Sequence, residues 1–212
     1  YCKSLTSITI PDSVTYIGEY TFESCSSLTS VNLPNKLTYI KRELFIYCKS
    51  LTSITIPDSV TYIGTCAFYK CSSLTSITIP DNVTTIEPNA FSGCSSLTSV
   101  NIPNKLTYIN KELFARCSSL TNLAIPDSVT CIDCSVFYGC SSLTTINIAD
   151  SVTQIYSETF SGCSSLTSVN IPNNLTYISY RLFYDCSSLT SLTIPENIAS
   201  IGSVAFYGCS GL

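Results

Sequence analysis

Cys71-Ser-Ser-Leu-Thr-Ser-Ile-Thr-Ile-Pro80-Asp-Asn-Val-Thr-Thr-Ile-Glu-Pro-Asn-Ala-Phe91-Ser-Gly93 is followed by Cys94 and by the same pattern again. The step from one Cys to the next is constant: Cys2, Cys25, Cys48, Cys71, Cys94, Cys117, Cys140, Cys163, Cys186 and Cys209. Phenylalanine keeps the same step from Phe22 to Phe206, with no insertion or deletion. With each register Cys as position 1, Leu stands at 4, aliphatic residues at 7, 9 and 13, Ile at 16 and Phe at 21. Nine such units fill the 212 residues; coil 1 spans residues 2–24 and coil 9 residues 186–208. A fixed period of this length is the mark of a stacked repeat architecture.

Within a unit, Leu51 to Ile56 ends in strict alternation of apolar and hydroxyl residues and stops at Pro57-Asp58. That predicts a short strand with one face inward. Pro has no N–H, so it marks where ladder pairing ends, and Pro-Asp presets a turn. A second short extended piece is expected at 60–63, and a 3₁₀ or helical turn before Phe68. One unit cannot hold itself together. Its six or so core side chains supply about 1.5–3 kcal/mol each, against roughly 1–2 kcal/mol per residue to fix the backbone. Stacking on neighbours tips that comparison. The expectation is one parallel β-solenoid over residues 1–212, a piece of a longer array.

The unit Cys71 to Gly93, carried by Leu74, Ile77, Ile79, Pro80, Val83, Ile86, Ala90, Phe91 and the next Cys94, resembles the BspA-like leucine-rich repeat. The resemblance covers essentially the whole chain. It implies a leucine-rich-repeat solenoid, secreted or displayed on the cell surface, with a role in adhesion to host cells or matrix. Departures are small: Ala149 stands for the turn Pro, and Thr21 and Thr159 precede Phe in place of a small or aliphatic residue.

A longer period underlies the short one. The coil opening at Cys94 matches that at Cys25 at 18 of 23 positions, and the coil at Cys163 matches that at Cys94 at 17. Coils 2, 5 and 8 share Val-Asn-[Leu/Ile]-Pro-Asn, at Val31, Val100 and Val169. The array reads as built from three-coil blocks, so surface features should recur every ~14 Å, three strand spacings.

Composition excludes several classes of function. A net charge of −4 with 11% charged residues gives no basic footprint for nucleic acid. No apolar run reaches the ~20 residues of a membrane helix. There is no His, which removes the usual catalytic base and one half of most zinc sites. The register cysteines read as small buried hydrophobes. Cys66, Cys131 and Cys134 lie off the row and are expected to react with thiol reagents sooner; Cys131-x-x-Cys134 has no thioredoxin-like context. Asp58/Asp81 and Asp127/Asp150 offer oxygen pairs that could share Ca²⁺, but each Asp is expected to serve its own turn. The expectation is no enzyme, no cofactor and no metal.

Two surfaces remain. Positions 5, 6 and 8 form a neutral Thr/Ser/Asn lattice, which either is passive or meets an ordered ligand such as ice or glycan. Positions 15, 17 to 19, 22 and 23 vary and hold Tyr beside charge, the mix a protein-recognition surface tends to contain. Tyr39, Lys41, Arg42, Glu43, Tyr108, Lys111, Glu112, Tyr177, Tyr180 and Arg181 are the candidate binding residues. The partner expected is a protein or glycan on host cells or matrix. A structural fibre or spacer whose coils stack end to end is the rival reading.

Asn82-Val-Thr and Asn174-Leu-Thr are sequons just past the Pro turn. In a chain secreted by a eukaryote, both Asn82 and Asn174 should carry N-glycans. Intact-mass analysis of native material with both sites bare would count against a eukaryotic secretory origin.

Overall fold

A computed structural model describes residues 2–212. Two rows of very short parallel strands run along the rod, and each residue pairs with its counterpart one coil on, as in Ser7↔Ser30 and Tyr62↔Thr85. The first row holds Ser7–Thr9, Ser30–Asn32, Ser76–Ile77, Ser99–Val100, Asn122–Ile125, Thr145–Ile148 and Ser168–Val169. The second row begins at Tyr39–Ile40 and ends at Ser200–Ile201, with one member in each of coils 2 to 9. Side chains alternate as the pattern requires: Asn122 and Ala124 face outward, Leu123 and Ile125 inward.

Coil 3 corrects one expectation. Leu51 to Ile56 keeps the buried-exposed alternation at Ile54, Thr55 and Ile56, but forms no regular strand. The arc before Phe corrects another. It is a run of hydrogen-bonded turns, with no α- or 3₁₀-helix among the described residues. Its N–H groups at positions 19, 21 and 23 bond forward to carbonyls of the next coil, as in Glu43 to Thr65, Phe45 to Ala67 and Tyr47 to Tyr69 (2.8–2.9 Å). A helix would direct those groups back into its own turn. Two left-handed residues per coil, at positions 19 and 23, open the arc instead: Glu112 (φ 55°) and Arg116 (φ 60°) are one such pair. Left-handed geometry costs a non-glycine residue roughly 1–2 kcal/mol. Here it recurs in every coil, so it belongs to the fold rather than to a site.

The three-coil block is visible in the ladders. In coils 5 and 8, Asn101 and Asn170 lay their side-chain amides across both polar groups of Ile79 and Ile148 (2.6–2.9 Å), and strand pairing ends there. First-row pairing then lapses after coils 2, 5 and 8, and also between coils 3 and 4. Second-row pairing lapses before coils 5 and 8, and coil 1 has no second-row strand. At these two interfaces the carbonyls of Ile86 and Ile155 accept from the side chains of Asn110 and Ser179. Elsewhere a backbone N–H does that work, as Gly64 does for Ile40.

One hydrophobic core runs the length of the rod. Its spine is the Phe column, each ring stacked on the next at 5.3–6.0 Å and within 13° of parallel. Beside it runs the Cys row. The thiol of Cys48 donates to the Phe22 carbonyl at 3.0 Å, and the contact repeats in register to Cys209 and Phe183 at 3.1 Å. Each of these carbonyls also accepts the backbone N–H of the Cys three residues on, as Phe22 does from Cys25 at 3.2 Å, so the thiol fills the second lone pair of the carbonyl, which Ala or Val could not do. The row is not uniform: eight members are buried, Cys209 is half-buried and Cys2 is exposed. Off the row, Cys131 is buried, contrary to expectation, while Cys66 and Cys134 are half-buried. The turn Asp also departs from expectation in two coils, since Asp12 and Asp150 accept the N–H of the next coil's Asn35 and Asn173 (2.9 and 3.1 Å).

Cys2, Cys66, Cys134 and Cys209 should therefore react first with a thiol reagent in native buffer. The eight buried register thiols and Cys131 should wait for denaturant; mass mapping of the labelled sites decides it. Burial also pushes the thiols of Cys48, Cys94, Cys140 and Cys186 up to about 12. In the unfolded chain they ionise near pH ~8.5, so above that pH the unfolded state holds fewer protons than the folded one. Stability should be complete below pH ~8.5 and fall as pH climbs towards 12. Urea midpoints at pH 7, 9 and 10.5 should decline in that order, and a flat series would contradict the buried thiol row.

Candidate recognition surface

Position 15 opens each second-row strand, and its side chain is exposed at Tyr39, Tyr108 and Tyr177 but buried at Cys131. The residues expected there to bind do not converge on one place. They form three stations, in coils 2, 5 and 8, each ~14 Å from the next if three strand spacings separate them.

In coil 2, Lys41 Nζ lies 4.8 Å from the centre of the Tyr39 ring and 5.6 Å from that of Tyr16. Arg42 Nε bonds Glu43 Oε1 at 2.9 Å. In coil 5, Tyr108 donates its phenol proton to Asp133 Oδ2 at 2.8 Å, and Lys111 stands 3.7 Å from Glu112. Partial burial, then Asp133, hold the Tyr108 phenol protonated well above its ordinary range. In coil 8, the Arg181 guanidinium sits 5.1 Å from the Tyr180 ring and 4.9 Å from Tyr184. Its Nη1 is 3.5 Å from Glu158 Oε1, and its buried Nε has no partner. Tyr177 stands exposed at the start of its strand.

Two further cation–aromatic groups escaped the sequence reading. Lys70 lies 5.7 and 5.2 Å from the Tyr47 and Tyr69 rings, and Arg116 lies 5.8 Å from Tyr138. A signal was available: a cation at position 23 with Tyr at position 22 or 23 of a neighbouring coil. Each exposed cation–π contact is worth about 0.5–1 kcal/mol, and exposed ion pairs add little. Their effect is to hold long side chains in fixed poses over rigid rings, which lowers the ordering cost of binding.

One row of the hydroxyl lattice, position 5, bonds internally. Thr29 Oγ1 donates to the Thr6 carbonyl at 2.9 Å, and the contact recurs at Thr98, Thr144 and Thr167 at 3.0–3.1 Å. Position 14 holds a second Thr row that the sequence reading passed over, with Thr130 bonded to Thr107 at 3.2 Å. The sequon amides are also engaged: Asn82 and Asn174 are exposed, yet Nδ2 of each donates to the carbonyl of Asp58 or Asp150 (2.9 and 2.8 Å). No cluster of three or more metal-ligating side chains occurs among the described residues. Nor is any helix there long and apolar enough to cross a membrane.

The family model described as "BspA type Leucine rich repeat region (6 copies)" matches residues 1–120 and 84–212, so two overlapping matches cover the chain. The chain belongs to the BspA-type leucine-rich-repeat family. No curated protein matches it significantly. Among solved structures, a leucine-rich-repeat protein of Treponema pallidum is 27% identical, with TM-score 0.69, over 99% of this chain and 86% of that one. A leucine-rich cell-surface protein of Faecalibacterium prausnitzii is 28% identical, with TM-score 0.59, over 100% and 79%. A leucine-rich-repeat protein of Bacteroides ovatus is 28% identical, with TM-score 0.56, over 100% and 78%. In this BspA-type array, the Phe column and the Cys row are scaffold. What distinguishes the chain chemically lies on the turn arc.

Proposed function

We propose that this BspA-type chain is an extracellular adhesion or recognition module that docks a protein of host cells or matrix along its turn arc. The observation that carries the reading is the placement of Tyr rings beside charge at coils 2, 5 and 8: Lys41 over Tyr39, Tyr108 bonded to Asp133 with the Lys111–Glu112 pair in the same coil, and Arg181 over Tyr180. Tyr and Arg supply most of the binding energy at protein interfaces, and none stands on the first-strand face. Three stations in line favour a long or repeated epitope, for which modest contacts add up through avidity. A surface location accords with the F. prausnitzii relative, described as a cell-surface protein. A rigid spacer is the second reading, favoured by the unbroken Phe column.

Immobilised matrix and cell-surface proteins should retain the chain in a solid-phase assay. Replacing Lys41, Arg42, Lys111 and Arg181 together by Ser should weaken retention at least tenfold with the circular dichroism unchanged. Replacing Thr55, Thr78 and Thr193 by Ser should leave it within twofold. The reverse pattern would move the site to the first-strand face, and no retention at all would favour the spacer.

A further inference from the structure

Position 22 is held mostly by bulky side chains, among them Tyr69, Tyr138, Tyr184 and Tyr207. At only one place do two small residues follow each other there, Ser92 and Ala115, and a tyrosine bounds them on each side. The missing side-chain volume is a cleft of roughly 180 Å³ on the turn arc, with Ser92 and Ala115 in its floor and Tyr69 and Tyr138 at its ends. Position 19 supplies the long wall: Glu112, Ser135 and Glu158 line the same cleft. All three are left-handed at φ 55–61°, so the backbone that presents them is set by the coil and not by a mobile loop. Arg116, over the Tyr138 ring, completes the lining.

We propose that this cleft is a binding subsite for a neutral saccharide, a ligand class beyond the protein-docking reading above. A sugar ring presents hydroxyls around its edge and C–H groups on its faces. It therefore needs donors and acceptors fixed beside a flat apolar surface. Tyr69 gives that surface, since a Tyr ring offers an apolar body with a polar tip, while Tyr138 carries the Arg116 guanidinium over its ring. The Glu112 and Glu158 carboxylates accept from sugar hydroxyls, and the Arg116 guanidinium donates to them. The Ser92 and Ser135 hydroxyls are free of the intercoil bonds that Ser59, Ser128 and Ser151 make to backbone carbonyls.

Charge in the cleft is mixed and largely paired: Lys111 stands 3.7 Å from Glu112 and Arg181 3.5 Å from Glu158, and Arg116 lies over the Tyr138 ring. Nothing there calls for a guest of net charge. Position 22 side chains end three coils apart at Tyr69 and Tyr138, ~14 Å by strand spacing, and the cleft is open to solvent between them. A chain of sugars can therefore enter lengthwise, along the rod.

The test uses the full chain, fluorescently labelled, on a printed array of neutral, sialylated and sulfated oligosaccharides, with Lys- and Arg-rich peptides beside them. Neutral oligosaccharides should retain it. Ala115→Tyr fills the floor with a residue that neighbouring coils already hold at this position, and it should cut retention at least tenfold. Tyr138→Ala should do the same. Thermal midpoints near the parent's would confirm that both variants fold. Lys41→Ser, in another station, should leave saccharide retention unchanged, which separates this site from the coil 2 station of the protein-docking surface. The proposal fails if no neutral saccharide is retained, if retention survives both cleft variants, or if only charged glycans or basic peptides bind.

Discussion

The strands and alternate N–H groups of the turn arc find their backbone partners not within their own unit but one coil away. A buried N–H or C=O without a partner costs about 1–3 kcal/mol, so each coil is obliged to copy the path of its neighbour. From that obligation follow the parallel strands, the forward bonds of the turn arc and the superposition of Phe on Phe. An inserted residue would displace a whole rung of these bonds and tilt one ring off the column. The chain contains no insertion over nine units.

The same obligation divides the surface. Where Thr hydroxyls bond back to the preceding Thr, the side chain is part of the ladder and its chemistry is largely used up. Position 12 behaves alike, with Ser59, Asn82 and Asn197 holding carbonyls of the preceding coil. On the turn arc the backbone satisfies itself through the left-handed pair at positions 19 and 23, and the side chains are released. Charge, Tyr and the cleft all lie there. Variation collects where no intercoil bond depends on the side chain.

Much of this is legible in the residues. The Cys and Phe rows reveal period, register and core directly, because a residue buried in a stack must recur at the stack's own step. The turn arc is legible only as irregular. Its residues suggest helical turns before Phe68, but the left-handed positions hold Tyr, Glu, Cys, Asn, Ser, Arg and Val more often than Gly, so composition hides them. The burial of Cys131 is hidden as well, because its place off the row says nothing of what covers it. Among candidate binding residues, those beside an adjacent charge in sequence are easily found. Arg116 with Tyr138, and Lys70 with Tyr47, are not, since their contact lies across coils and shows only when the chain is written in rows, one coil to a line.

The lapses in strand pairing are staggered. Between coils 2 and 3, 3 and 4, 5 and 6, and 8 and 9 the first row keeps at most the position 5 Thr bond, while the second is closed. Between coils 1 and 2, 4 and 5, and 7 and 8 the second row is open and the first is closed. No seam passes through both rows at one level, just as courses of brick are laid so that joints never align. A tensile load drawn along the axis thus meets intact pairing on one flank of every joint, and the rod has no built-in fracture plane.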